Sequence, residues 1–226
     1  MSLTNLLANE YRFLRFKIGQ RIRRFSLSPT PGFASPLAVA FFTDRLRSAR
    51  RLLEYGCGSS TMLAASIGTP FHTIDSDRWF LDQVRRQIRK SGTYSPSHQS
   101  YEFRNIGRTG RWGFPHCAIP AGPRRLRLYA RYSDPPDCQP TDDRPDLVLI
   151  DGRFRLACAL KAVRWLEGAT YHLVVDDYAS RPYYHALDQF ATVESLYGDT
   201  AVFSPPGNID HRALDAAIRA CETDPR

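Results

Sequence analysis

The chain has 226 residues, of which 42% are hydrophobic and 24% charged, with a formal net charge of +8. That length suits one larger domain with a real core, and the composition excludes disordered, collagen-like and fibrous classes. The positive field favours an anionic partner, whether a nucleotide, an acidic glycan, nucleic acid or a lipid surface.

No apolar run approaches the roughly 20 residues that cross a bilayer, and the N-terminus lacks a signal-peptide core, so a cytoplasmic protein is expected. The five cysteines Cys57, Cys117, Cys138, Cys158 and Cys221 form no Cys-x-x-Cys pair, which argues against a disulfide framework. The adjacent His116-Cys117 has no second cluster to complete a zinc site.

Leu3, Leu7, Tyr11, Leu14, Ile18, Ile22 and Phe25 recur at helical spacing, while Arg12, Arg15, Lys17, Arg21, Arg23 and Arg24 take the other faces. This predicts a basic amphipathic helix. Two roles are open to it: packing over the core or against a second copy in a homodimer, or peripheral contact of residues 1–25 with an anionic membrane or acidic partner. Ser28-Pro29-Thr30-Pro31-Gly32 is a break, so residues 1–32 read as helix and linker, and 33–226 as the main domain.

From there the apolar period alternates. Helices are predicted over Pro36–Arg47, from Thr61 to Ser66, over Arg78–Arg89 and over Ala157–Leu166. Strands are predicted over Arg51–Tyr55, Phe71–Ile74, Tyr101–Ile106, Asp146–Ile150 and Tyr171–Val175. Strand alternating with helix implies an α/β, doubly wound, mostly parallel sheet with helices on both faces. Ligands of such sheets bind beyond the carboxyl ends of the strands, so chemistry belongs to the residues just after each one.

After the first strand stands Glu54-Tyr55-Gly56-Cys57-Gly58-Ser59-Ser60-Thr61. Two glycines permit a sharp turn and close approach of a ligand, and the following helix offers unpaired N–H groups. Asp75, in His72-Thr73-Ile74-Asp75-Ser76-Asp77, ends the second strand, where a carboxylate accepts hydrogen bonds from vicinal ribose hydroxyls. Together these residues point to a nucleoside ligand.

An acidic residue followed by x-Gly-x-Gly, with an acid after the second strand, resembles the class I S-adenosylmethionine-dependent methyltransferases. The resemblance implies a Rossmann-like, seven-stranded sheet whose last hairpin is Thr192–Leu196 and Thr200–Ser204. It implies S-adenosylmethionine bound by Glu54, Tyr55, Gly56, Cys57, Gly58, Ser59, Ser60 and Thr61, with Asp75 on the ribose. Ser76, Asp77 and Trp79 would border the adenine, and Asp151 would stand beside the cofactor. Leu149-Ile150-Asp151-Gly152-Arg153-Phe154-Arg155 and Val174-Val175-Asp176-Asp177-Tyr178, with Arg181, are similar to a little-characterised bacterial methyltransferase-like group, which implies no particular substrate. A competing NAD-dependent oxidoreductase fits less well, because Thr61 replaces the third glycine of Gly-x-Gly-x-x-Gly and Glu54 stands at a usually apolar position.

Asp134-Pro135-Pro136-Asp137 resembles the base-holding motif of nucleic-acid amino-methyltransferases, but it precedes the fourth strand and lacks the stacking aromatic. Nucleic acid is therefore not the expected partner. Asp151, Asp176, Asp177 and Arg153 are the catalytic candidates, since the three acids follow strands four and five. Clustered carboxylates need a compensating cation. One candidate is Mg²⁺ on Asp151, Asp176 and Asp177, as in catechol-type O-methyltransferases, although Asp177 stands where that family has Asn. The other is internal, with Arg153, Arg155 or Arg181 pairing the acids and one Asp acting as general base.

Residues 107–145 read as an irregular insert, either a lid or acceptor-binding loop or a segment folded on its own side chains. His116, Tyr178 and His185 are further pocket candidates. The expected activity is methyl transfer to an oxygen or nitrogen of a small-molecule or glycan-like acceptor. A non-enzyme alternative is a cofactor-binding protein that keeps the fold without turnover.

Overall fold

A computed structural model describes the chain apart from residues 1–2, 23–24, 117–120 and 138–143, and apart from the side chains of residues 3–6. Cys117 and Cys138 therefore lie outside the described residues, as do Arg23 and Arg24. Helix α1 runs over Leu3–Ile22, followed by α2 (Pro36–Ser48), β1 (Leu52–Tyr55), α3 (Ser59–Ile67), β2 (Phe71–Asp75), α4 (Arg78–Lys90) and β3 (Gln99–Phe103). Then come α5 (Pro123–Tyr132), β4 (Leu147–Ile150), α6 (Arg155–Trp165), β5 (His172–Val175), β6 (Thr192–Tyr197), β7 (Thr200–Ser204) and α7 (His211–Cys221).

The strands form a seven-stranded sheet in the order β3-β2-β1-β4-β5-β7-β6, with β7 antiparallel to both β5 and β6. Strands β1, β2, β4 and β5 end in register: Tyr55 lies opposite Ile74 and Ile150, and Ile150 opposite Val175. Hence Gly56, Asp75, Asp151 and Asp176, each the next residue, emerge along one edge.

Side-chain alternation along the strands builds two cores. Leu53, Tyr55, Ile74, Val148, Ile150, Leu173 and Val175 share one core with α6 and α7, while Leu52, Phe71, Leu147, Leu149 and Val174 share the other with α2, α3 and α4. All four residues of β1 and of β4 are buried, as central parallel strands covered on both faces require.

Four sequence expectations change. The insert is not irregular throughout, because α5 lies inside it and forms the crossover to β4. Its Tyr129 and Tyr132 pack against Phe154 at 5.2 and 5.3 Å. Strand β3 starts at Gln99 and stops at Phe103, short of Ile106, because Asn105 Oδ1 accepts the Gly107 amide and turns the chain. Helix α7, capped by Asp210 and buried through Leu214 and Ile218, was not anticipated. Finally, α1 does not lay its apolar stripe on the core: Leu7, Tyr11, Leu14, Ile18 and Ile22 are exposed.

Candidate active site

The β1 turn is built by glycine contacts within the protein. Gly56 has φ +99°, and a Cβ there would meet the backbone of Gly152 at 2.5 Å, so two strand-end turns touch main chain to main chain. Gly152 in its turn has Tyr132 Oη 2.7 Å from where its own Cβ would stand. At Gly58, by contrast, a Cβ would meet nothing within 4 Å.

Glu54 is fully buried and takes hydrogen bonds from the hydroxyls of Ser60, Thr61 (2.6 Å) and Thr73 (2.7 Å). Burial pushes its pKa up to about 7 against those three donors. It therefore ties α3 to β1 and β2, with the Glu54, Ser60 and Thr61 side chains spent on one another, which leaves their backbone as the part available to a ligand. Tyr55 likewise turns inward, donating to the Asp134 carbonyl at 3.0 Å, so its backbone alone faces the edge. Thr61 Oγ1 also accepts the Gly58 amide at 2.8 Å, capping α3 beside Ser59.

Asp75 accepts the Cys57 amide at 3.0 Å and the Asp77 amide at 2.7 Å, fastening the two turns together. Burial raises its pKa to about 6. Ser76 and Asp77 are buried beside it. Asp77 caps α4 through Phe80 N and receives Lys17 Nζ at 2.8 Å and Gln20 Nε2 at 3.2 Å from α1. Burial pushes the Asp77 pKa up, but the Lys17 ion pair and these amide donors outweigh it and hold it below the usual carboxylate range. Trp79 stands nearby, half-buried and edge-on to Phe25.

Arg155 lies between the acids after β4 and β5. Its guanidinium reaches Asp151 Oδ1 at 2.8 Å and Asp177 Oδ2 at 2.9 Å, with further bonds to the carbonyls of Asp151, Gly152 and Asp176. Arg181 adds a second bond to Asp177 at 2.7 Å, and Asp176 accepts Thr200 Oγ1 at 2.7 Å. The cation of this cluster is thus an arginine. Among the described residues no group of His, Cys, Asp or Glu has the arrangement to hold a metal, so Asp151, Asp176 and Asp177 do not fit the expected Mg²⁺ site.

Burial in the crevice and the repulsion of Asp176 and Asp177 raise the Asp151 pKa to about 7, with Arg155 opposing. The side chain keeps 37% of its surface exposed, so water in the open crevice moderates that rise. Arg153 differs from Arg155. It is only 6% exposed, its Nε and Nη1 have no hydrogen-bond partner, and its guanidinium lies 4.1 Å from the Phe114 ring centroid. Burial and the neighbouring Arg155 charge lower its pKa.

The other candidates disperse. His116 stacks on Phe13 at 4.3 Å and meets Glu10 at 3.1 Å, away from the acids. Tyr178 packs on His185 at 4.8 Å and donates to Asp188. Asp134 and Pro135 line a cavity of about 570 Å³ with His72 of β2, Glu102 of β3, Tyr132 of α5 and Arg104. A second, of about 280 Å³, opens at the amino ends of the strands by Asp146, Leu147 and His172. Neither holds the clustered acids.

A methyltransferase-like protein from Silicibacter pomeroyi DSS-3 is similar to this chain at 28% identity with a TM-score of 0.72, over 88% of this chain and 100% of that one. The chain has the fold of the class I methyltransferases. More distant likenesses are a putative caffeoyl-CoA O-methyltransferase from Staphylococcus aureus (14% identity, 88% and 100% covered, TM-score 0.48), and the N-methyltransferase NodS from Bradyrhizobium japonicum in complex with S-adenosylhomocysteine (14%, 84% and 98%, TM-score 0.40). No family model and no curated relative matches the chain. Open, mostly parallel sheets bind ligands beyond the carboxyl ends of their strands, which is the edge where Gly56, Asp75 and Asp151 lie.

Proposed function

We propose that this protein transfers a methyl group from S-adenosylmethionine to an oxygen or nitrogen of a small-molecule or glycan-like acceptor. The observation that carries the reading is the meeting, on one sheet edge, of Asp75, the Gly56–Gly58 turn and the Asp151–Arg155–Asp177 cluster. The residues suit the cofactor. Each Asp75 oxygen accepts one backbone amide and keeps a lone pair for a ribose hydroxyl. The open space at Gly58 leaves the amino end of α3 accessible to the methionine portion.

When bound, the cofactor supplies a sulfonium-activated methyl group, which needs an in-line, unprotonated acceptor. Asp151 is suited to take the acceptor's proton because its pKa is raised toward neutrality. Arg155 holds that carboxylate in place and balances its charge. Arg153, buried with unpaired donors beside Phe114, favours an acceptor bearing a carboxylate or phosphate.

Calorimetry tests the first half. S-adenosylhomocysteine should bind the wild type, and Asp75→Ala should weaken it by about 1–3 kcal/mol through lost charge-assisted bonds. Preferential binding of NAD, or no binding by well-folded protein, overturns the reading. Methyl transfer from labelled cofactor in lysate tests the second half, since binding without any labelled product would leave a binding protein of this fold.

A further inference from the structure

Helix α1 is fastened to the domain by a mixed side, on which Phe13 stacks against His116 among polar anchors, and turns a row of other apolar residues outward. Glu10 reaches Arg108 at 2.9 Å and His116 at 3.1 Å, while Lys17 and Gln20 close on Asp77. On the opposite side Leu7, Tyr11, Leu14, Ile18 and Ile22, three or four residues apart, are 62%, 62%, 52%, 57% and 77% exposed. Single exposed leucines are ordinary surface, but five large apolar side chains in one helical row form a face that water does not favour.

Charge selects what covers it. Helical spacing puts Arg21 on one border of the row and Arg12 and Arg15 on the other, and all three are exposed. Glu10, the acid within α1, falls on the Arg21 border by the same spacing but is paired with Arg108 and His116 of the domain, so it leaves no unpaired carboxylate beside the row. A second copy laid on this face would bring arginine against arginine. A phosphate-rich surface meets both borders with the opposite charge.

We infer that α1 is an interfacial helix that seats the protein on an anionic lipid bilayer, with its apolar row in the acyl boundary and Arg12, Arg15 and Arg21 at the headgroup phosphates. No helix among the described residues is long and apolar enough to cross a membrane, so the attachment is peripheral. Because α1 crosses at Asp77, just beyond β2, this orientation turns the ligand edge of the sheet toward the bilayer. The inference does not depend on methyl transfer.

Co-sedimentation of the full chain with phosphatidylcholine–phosphatidylglycerol vesicles tests it, with pure phosphatidylcholine vesicles as the comparison. The wild type should bind the anionic vesicles, and raised salt should weaken binding. Leu14→Glu with Ile18→Glu should lower partitioning at least tenfold while circular dichroism and melting stay unchanged, since both positions are exposed. Each of Arg12→Gln, Arg15→Gln and Arg21→Gln should cost about fivefold. Absence of vesicle binding, or equal binding by the Leu14/Ile18 variant, overturns the inference. So does light scattering that finds a dimer dissociated by that variant, with no lipid binding, because the occupant is then a second copy.

Discussion

Arg153 and Arg155 stand two residues apart and face opposite situations. Arg155 is 4% exposed and shares its guanidinium between two carboxylates and three carbonyls, whereas Arg153 is buried with two nitrogens unpartnered. Removing one member of a buried pair strands its partners, while removing a buried, unsatisfied cation relieves a desolvation cost. Arg155→Met should therefore destabilise the protein by about 3 kcal/mol, the low end for such pairs because Asp151 and Asp177 keep about a third of their surface in water. Arg153→Met should leave stability unchanged or raise it by about 1 kcal/mol, at the expense of anionic-acceptor binding. Urea unfolding of both variants checks the signs. Equal losses would mean that Arg153 is structurally paired, and would remove it from the acceptor site.

At the scale of elements, the strands and the crossovers between them were legible because β1, β4 and β5 are short apolar runs ending in Gly or Asp. The role of each glycine was not. Gly56 was read for ligand approach, yet its neighbour is the Gly152 backbone, a contact between residues far apart in sequence that local pattern cannot reveal. Helix α5 is hidden in the sequence because Pro123–Tyr132 is crowded with arginines, although Gly122-Pro123 marks its start and Tyr129 and Tyr132 its buried side. The apolar row of α1 is visible in the sequence, but not that Glu10, Phe13, Lys17 and Gln20 would be the residues to pack. Among the acids, spacing offers Arg153, Arg155 and Arg181 alike as the cation and does not single out Arg155, and it does not reveal Glu54 as an internal tie. The two glycines of the turn should separate by experiment. Gly56→Ala forces a Cβ onto backbone at a positive φ and should cost about 2–4 kcal/mol. Gly58→Ala, with open space and an extended φ of 172°, should melt like the wild type and lose affinity for S-adenosylhomocysteine. If instead Gly58→Ala binds normally, the ligand does not approach the turn there.

For the molecule as a whole, the buried acids set a pH dependence opposite in sign to that of a protein held by surface ion pairs. Glu54 and Asp151, raised to about 7, and Asp75, raised to about 6, bind protons more tightly when folded than when unfolded. Their contribution to stability is fully present below the unfolded carboxylate range and is lost as pH rises through about 6 to 7. Glu102, lowered to about 2 by His72 and Arg104 against its burial, acts the other way, and its contribution is lost only as pH falls toward 2. Between about pH 5 and pH 8 the raised acids dominate, so the melting temperature of the unliganded protein should fall as pH rises across that window. A nucleoside ligand reverses the trend for its own increment, because ribose hydroxyls donate to the ionised form of Asp75. The melting shift produced by saturating S-adenosylhomocysteine should therefore be larger at pH 8 than at pH 5, and Asp75→Asn should flatten that difference. Scanning calorimetry at both pH values, with and without ligand, checks both slopes. A ligand-free melting temperature that rises across the window would show that Glu54, Asp75 and Asp151 are ionised at no cost in the folded protein.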